Sequence, residues 1–259
     1  MKERTVSNLA QLEELFRKNF DRSHNIFRGV TDAHHKLRPK VGREVDGHQP
    51  YKLSREQGLL ERFKQFAALH VSRLPTNDWD WLALAQHHGL ATRLLDWSFN
   101  PMVATWFALD QRYAVVKPKN RGHSDQNPPK VPAAVYVRKM PSWVNVRTAP
   151  DPFDVNQIVS FLPTHVSPRI TTQSGLFTVH PDPSRDWNDD AIKIILLDFA
   201  EGPWREATRI LLRVGFHRYG LFPDLDGLAT NLNMLYVRGL NLAYGTPADL
   251  GEQEEDEEG

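Results

Sequence analysis

The sequence contains no cysteine among its 259 residues. This absence excludes disulfide bonds, thiolate zinc sites, iron–sulfur clusters and cysteine nucleophiles. No apolar run approaches the roughly 20 residues that a membrane-spanning helix needs, and the first residues lack the apolar core of a signal peptide. We therefore expect a soluble, cytoplasmic protein that does not interact with a membrane.

Common catalytic and phosphate-binding motifs are also missing. The sequence has no Gly-rich phosphate loop, no dinucleotide fingerprint, no Gly-x-Ser-x-Gly elbow and no His-Glu-x-x-His pair. The adjacent residues His87 and His88 would point about 100° apart on a helix, so only one of them could face a pocket. The sequence therefore predicts no metal site.

Aromatic residues are plentiful, with seven Trp, 13 Phe and six Tyr. Such a composition is typical of a chain with a packed core and not of a disordered one. Net charge is zero, but residues 249–259 hold seven acids and no base, which leaves 32 bases and 25 acids in residues 1–248. We expect one folded domain over 1–248 and a disordered acidic tail over 249–259. The mild positive charge of the body does not identify a nucleic-acid binder.

Hydrophobic periodicity and capping signals indicate an α+β fold. Helices are predicted from Ser7, from a capping box at Ser54, over 78–89, over 100–110, and over 205–214 and 224–237. Strands are predicted over 25–29, 133–137, 176–179 and 192–198, with loops over 31–53 and 117–132 and a connection over 92–97. The predicted domain has a helical N-terminal half packed on a central, mostly antiparallel sheet.

Residues 86–101 combine eight polar or ionisable side chains with residues suited to burial. Buried polar groups need partners, so this segment forms either a site or an internal network. Arg93 and Asp96 are three residues apart, and we expect either an ion pair between them or an acid–base role for Asp96. Arg28, which follows apolar residues and precedes a glycine, would bind either a phosphate through its planar fork or a carboxylate inside the fold.

The motif Phe27-Arg28-Gly29, followed by residues 81–98 and 100–108, resembles the FRG-domain family, which is named for its Phe/Tyr-Arg-Gly motif. The run Gln-His-His-Gly-Leu-Ala-Thr-Arg-Leu-Leu-Asp-Trp at 86–97 is its most specific part. Further segments that look like the family lie at 168–170, 173–177 and 220–228, so the resemblance extends over about 20–235. Ala91 stands where the family usually has proline.

The order of these motifs is similar to that of ADP-ribosyltransferases, which implies an ADP-ribosyltransferase-like fold with NAD as substrate. Gln173 stands where those enzymes have a catalytic glutamate. The resemblance implies catalytic roles for Arg28, Asp96 and Gln173, and contacts to NAD from Arg28, Gln86, His88, Thr92, Arg93, Ser98 and Asn100.

Three hypotheses follow. The first is an NAD-dependent ADP-ribosyltransferase or NAD glycohydrolase, acting as a toxin or phage-defence effector on a protein or nucleic-acid target. The second is a non-catalytic nucleotide- or nucleic-acid-binding module. The third is a nuclease in which His88 and Asp96 act as base and acid. We expect Arg28, Gln86, Arg93, Asp96 and Gln173 to converge on one pocket, and the site hypothesis fails if Arg28 and Asp96 share no cleft.

Overall fold

A seven-stranded sheet organises the chain. The computed structural model describes residues 2–20, 24–44, 50–71, 73–114, 131–164 and 168–238. Within these ranges the strands are β1 (Lys2–Val6), β2 (Asn25–Val30), β3 (Leu94–Ser98), β4 (Ala133–Lys139), β5 (Val159–Phe161), β6 (Gly175–Val179) and β7 (Lys193–Leu197). The helices are α1 (Leu9–Phe20), α2 (Leu53–Ala67), α3 (Asp78–His87), α4 (Pro101–Ala114), α5 (Pro168–Thr172), α6 (Glu201–Arg213), α7 (Arg218–Leu221) and α8 (Leu225–Arg238).

The strand order is β1-β7-β4-β2-β3-β6-β5. β1 pairs with β7 in parallel, and the other pairings along this order are antiparallel. The fold is thus α+β with a mixed sheet, as predicted at that level. The N-terminal half is not simply a helical layer, however, because it also supplies β1 and the two central strands, β2 and β3.

Six of the described helices and the strands β2, β4, β6 and β7 lie within a few residues of their predicted positions, whereas β1, β5, α5 and α7 were not predicted. The capping box at Ser54 is wrong, because α2 already begins at Leu53 and shows no side-chain cap. β3 lies where only a connection was expected, since four of its five residues are buried and no alternation marks it as a strand. The predicted tail at 249–259 and residues 117–130 of the predicted loop lie outside the described residues.

Helices pack on one face of the sheet, and mainly irregular segments pack on the other face. α1, α4 and α6 bury one face through residues such as Leu12, Phe27 and Val135. The opposite face is covered around Trp97, Tyr136 and Trp187, with contributions from the irregular segments that precede α2 and β7. A third cluster forms where α2 and α3 pack on β3, β5 and β6.

Gly29 in β2 permits a close contact between the sheet and α4. A Cβ atom at this position would lie 1.8 Å from the carbonyl oxygen of Ala104 and 2.7 Å from the backbone nitrogen of Ala108. Both atoms belong to the backbone of α4, so no side-chain rotation can relieve the overlap. The glycine therefore sets the distance between α4 and the central strand.

We expect Gly29→Ala to lower the free energy of unfolding by about 3 kcal/mol or more, because the new methyl group forces α4 away from β2. Gly58→Ala is the matched control. Gly58 lies inside α2, where an added Cβ atom would have no neighbour within 4 Å, so alanine there should stabilise the helix by about 0.5–1 kcal/mol. Urea denaturation of both variants measures the difference. Equal stabilities would contradict the assigned role of Gly29.

Candidate functional site

The two central strands of the sheet, β2 and β3, separate from each other along most of their length. β2 and β3 are paired only at Phe27 and Ser98, although each strand is fully paired on its other side with β4 or β6. The Arg28 guanidinium reaches into this opening and donates to the backbone oxygen of Asp96 at 2.6 Å. A side chain thus replaces part of the missing ladder between the strands.

A cleft of about 200 Å³ lies at this opening. Its floor comes from β2 and β3, one wall from α4, and the other walls from the end of α3 and from the segment running from α5 to β6. The residues that line it are Phe27, Arg28, Gly29, Gln86, Asp96, Trp97, Ser98, Val103, Ala104, Phe107, Arg169 and Gln173. The geometry therefore brings together Arg28, Gln86, Asp96 and Gln173, four of the five residues expected to converge.

The carboxylate of Asp96 is oriented by its neighbours but remains open to the cleft, with 56% of its side chain exposed. Gln86 donates from Nε2 to its Oδ2 at 2.9 Å, and Nη1 of Arg28 lies 3.6 Å from the same oxygen. The orientation of the Gln86 amide follows from Thr92, whose hydroxyl donates to Oε1 at 2.6 Å. Thr92 is itself buried and positions Gln86 without lining the cleft.

Arg169 is a cleft residue that was not among the predicted site residues. Its guanidinium lies 4.1 Å above the centre of the Phe222 ring and donates to the backbone oxygen of His87 at 3.1 Å. Burial is the main cause that lowers the pKa of Arg169, and the nearby carboxylate of Asp96 opposes it. The only sequence signal was the Pro-Arg-Ile segment at 168–170, which had no assigned chemistry.

Gln173 and Ser98 line the cleft through a linked set of hydrogen bonds. Gln173 donates from Nε2 to the backbone oxygen of Leu221 at 2.9 Å, and its own backbone oxygen accepts from the Ser98 hydroxyl at 2.7 Å. Asn100 does not line the cleft. Its side chain instead accepts from the backbone nitrogen of Met102 at 2.9 Å and caps the start of α4.

The expected ion pair between Arg93 and Asp96 is not the one that forms. Arg93 is 0% exposed and pairs with Glu56 of α2, which is 2% exposed, at 2.9 Å. Tyr51 and the backbone oxygen of Pro152 accept further hydrogen bonds from the same guanidinium. Arg93 therefore joins α2 to the start of β3 in the interior and does not line the cleft.

The two adjacent histidines also differ from expectation. His88 is exposed at the end of α3 and does not line the cleft. His87 is partly buried, and its pKa is lowered to about 4 by burial and then by the charge of Arg169. Within the described ranges, no three His, Asp or Glu side chains converge as a metal site would require.

A buried polar chain supports the cleft from behind. Trp97 donates from Nε1 to the Thr178 hydroxyl at 3.0 Å, and that hydroxyl lies 3.0 Å from Nε2 of His180. The Thr178 hydroxyl thus links the Trp97 indole to the His180 ring, which is held neutral. Burial, and then the charges of Arg28 and Arg93, lower the pKa of His180 to about 3.

Residues 23–115 match the family model of the FRG domain. This match, over 93 of the 259 residues, confirms the resemblance found in the sequence for that part of the chain. The match includes Arg28, Gln86 and Asp96, whereas Arg169 and Gln173 lie beyond its end. Neither a curated protein nor a solved structure matches the chain. Among the described helices, none has the length and apolar character needed to cross a membrane.

We expect Glu56→Gln to cost about 3–5 kcal/mol of stability, because it leaves the charge of Arg93 buried without its counter-ion. The isosteric change Asp96→Asn is the control. Its carboxylate is more than half exposed, so the loss should stay below about 1 kcal/mol. Urea denaturation compares the two variants. The assignment of the buried pair to Arg93 and Glu56 fails if Asp96→Asn is the more destabilising change.

Stability should fall as the pH drops below 6.5. His180 has a lower pKa in the folded protein than in the unfolded chain, so the unfolded chain takes up its proton first. Its contribution is complete above pH 6.5 and is lost progressively towards pH 3, with a slope of up to about 1.4 kcal/mol per pH unit.

Denaturation of the wild type and of His180→Gln between pH 7 and pH 5 measures this contribution. We expect a shallower slope in His180→Gln than in the wild type. Identical slopes in the wild type and His180→Gln would show that His180 does not titrate as described.

Proposed function

We propose that this chain binds NAD in the cleft between β2 and β3 and acts as an ADP-ribosyltransferase-like enzyme. One observation carries this proposal: two guanidinium groups, Arg28 and Arg169, and one exposed carboxylate, Asp96, line the same small cleft. Cations beside an apolar wall suit a phosphorylated aromatic ligand, and a carboxylate suits a reaction that develops positive charge.

The arginines are proposed to hold the pyrophosphate. A guanidinium forms paired, charge-assisted hydrogen bonds to phosphate oxygens, which an ammonium group cannot reproduce. The side chain of Arg28 is 18% exposed, and Arg169 is partly buried against Phe222, so both are held in place before a ligand arrives. Preorganisation of this kind lowers the entropy lost on binding.

The size of the cleft limits which part of NAD it takes. Ligand pockets commonly measure about 300–1,000 Å³, whereas this cleft measures about 200 Å³. We therefore place the nicotinamide riboside end inside, between Phe107 and Asp96, with the pyrophosphate at the arginines. The adenosine end extends out of the cleft.

The proposed reaction breaks the bond between the ribose C1′ and the nicotinamide nitrogen. The electron pair of that bond returns to the nicotinamide ring, and the ribose becomes oxocarbenium-like. The carboxylate of Asp96 stabilises this positive charge. An acceptor hydroxyl or water then forms a bond to C1′ and releases its proton. Asp96 suits this role better than Gln173, because it carries a full charge and the Gln173 amide is bonded to Leu221.

A non-catalytic module that binds nucleotides is the second candidate, and one observation favours it. The Asp96 carboxylate already accepts from Gln86 and lies 3.6 Å from Arg28. These contacts neutralise part of its charge before any substrate binds. NAD would then be bound without being cleaved.

We expect NAD to bind the full chain in isothermal calorimetry, and Arg28→Ala to weaken binding by about two to four powers of ten through loss of two charge-assisted bonds. Arg28→Lys should recover part of the affinity. Arg62→Ala, an exposed arginine of α2 outside the cleft, should bind as the wild type does. Absence of NAD binding by the wild type would refute the proposal.

Release of nicotinamide, measured by chromatography, separates the two candidates. An enzyme should release nicotinamide, and Asp96→Asn should bind NAD but release it about 100-fold more slowly. NAD binding without release by the wild type identifies the binding module. Release by Asp96→Asn at the wild-type rate would remove Asp96 from the mechanism.

A further inference from the structure

A second cavity, of about 390 Å³, opens between the end of α1 and the loop that joins β3 to α4. Four phenylalanines line it: Phe16, Phe20, Phe27 and Phe99. Phe27 also lines the cleft described above, so the two cavities are neighbours. The phenylalanine rings of α1 and β2 have their centroids 5.5–6.3 Å apart and pack mainly edge to face.

Phe99 is the accessible ring of this set. It is 40% exposed, whereas Phe16 and Phe27 are below 10%. It sits immediately before the capped start of α4, and its backbone nitrogen is bonded to the backbone oxygen of Ser174 at 2.9 Å. Its backbone is therefore held while its ring is available to a planar ligand.

The rim of this aromatic cavity is basic. Arg17 lines it, and the ammonium group of Lys193 lies 5.0 Å from the centre of the Phe20 ring. Exposed Lys139 pairs in register with Asn25, another lining residue. The lining contains no carboxylate. Phenylalanines with one lining cation, Arg17, and a second cation beside Phe20 suit a ligand that is both aromatic and anionic better than a purely apolar ligand or a bare anion.

We propose that this aromatic cavity binds a nucleobase together with its phosphate, the base stacking on Phe99 and the phosphate lying against Arg17 and Lys193. Aromatic rings accept any base on its flat face, and nearby cations neutralise the phosphate, which is how nucleotide strands are held without sequence preference. A free mononucleotide and a nucleotide within a single strand share this chemistry. The proposal does not depend on NAD binding in the neighbouring cleft.

The test titrates the full chain with AMP and with a labelled single strand of about ten adenylates. Phe99→Ala should weaken binding by about tenfold, through loss of one stacking contact. Arg17→Ala should weaken it as well and should reduce the salt dependence of strand binding by about one unit of slope. Equal responses of AMP and the strand to the variants identify a mononucleotide site, whereas binding of the strand alone identifies a nucleic-acid site.

Matched controls are available for both changes. Lys18 is adjacent to Arg17 on α1 but pairs with Glu14 and does not line the cavity. Phe66 is an exposed phenylalanine of α2, away from both cavities. Lys18→Ala and Phe66→Ala should bind as the wild type does.

Arg28→Ala separates the aromatic cavity from the cleft. We expect Phe99→Ala to weaken binding of AMP and of the strand by the same factor with and without Arg28→Ala, because the two residues line different cavities. The proposal is overturned if neither ligand binds, if Phe99→Ala and Phe66→Ala bind equally well, or if Arg28→Ala abolishes binding while Phe99→Ala does not.

Discussion

The hydrogen bond from Arg28 to the backbone of Asp96 stands where a sheet would normally have a strand ladder. β2 and β3 meet at one residue pair and then part, and this opening is what leaves room for a cleft in the middle of an otherwise continuous sheet. An open ladder leaves backbone groups without partners, which is costly in a buried position. The Arg28 guanidinium gives one of these groups, the backbone oxygen of Asp96, a hydrogen-bond donor, and it also lines the cleft.

Gly29, the residue next to Arg28, determines how close α4 lies to the floor of the cleft. Gly29 brings the backbone of α4 against β2, and the side chains of α4 then form one wall. Two neighbouring residues of one motif thus have different roles. Arg28 bridges the gap between β2 and β3, and Gly29 sets the distance between β2 and α4. Behind them, the buried pair of Glu56 and Arg93 ties the start of β3 to α2. This contact holds the strand that carries Asp96 from the side opposite the cleft.

Local pattern was sufficient for much of the fold and for part of the site. Amphipathic helices and the half-buried strand β2 are visible in sequence because one of their faces differs from the other. β3 has no such contrast, since four of its five residues, on both faces, are buried. Arg28, Gln86, Asp96 and Gln173 could be grouped because polar side chains in apolar surroundings need one another.

Partners chosen by distant packing could not be predicted in the same way. Arg93 binds Glu56, 37 residues earlier, and not the nearby Asp96. Arg169 reaches the cleft from a five-residue helix with no periodic signal, and its position depends on the Phe222 ring, more than 50 residues later. Each of these contacts depends on how segments distant in sequence pack together, and the spacing of residues along the chain does not indicate that packing.

The sheet topology has a consequence for synthesis of the chain. The segment matched by the FRG family model ends at residue 115, but the outer neighbours of β2 and β3 are β4 and β6, which come later. A nascent chain would carry both central strands for several seconds before β6 is translated, at about 5–20 residues per second. The cleft is consequently completed well after its first arginine is made, because Arg169 and Gln173, which also line it, follow Arg28 by more than 140 residues.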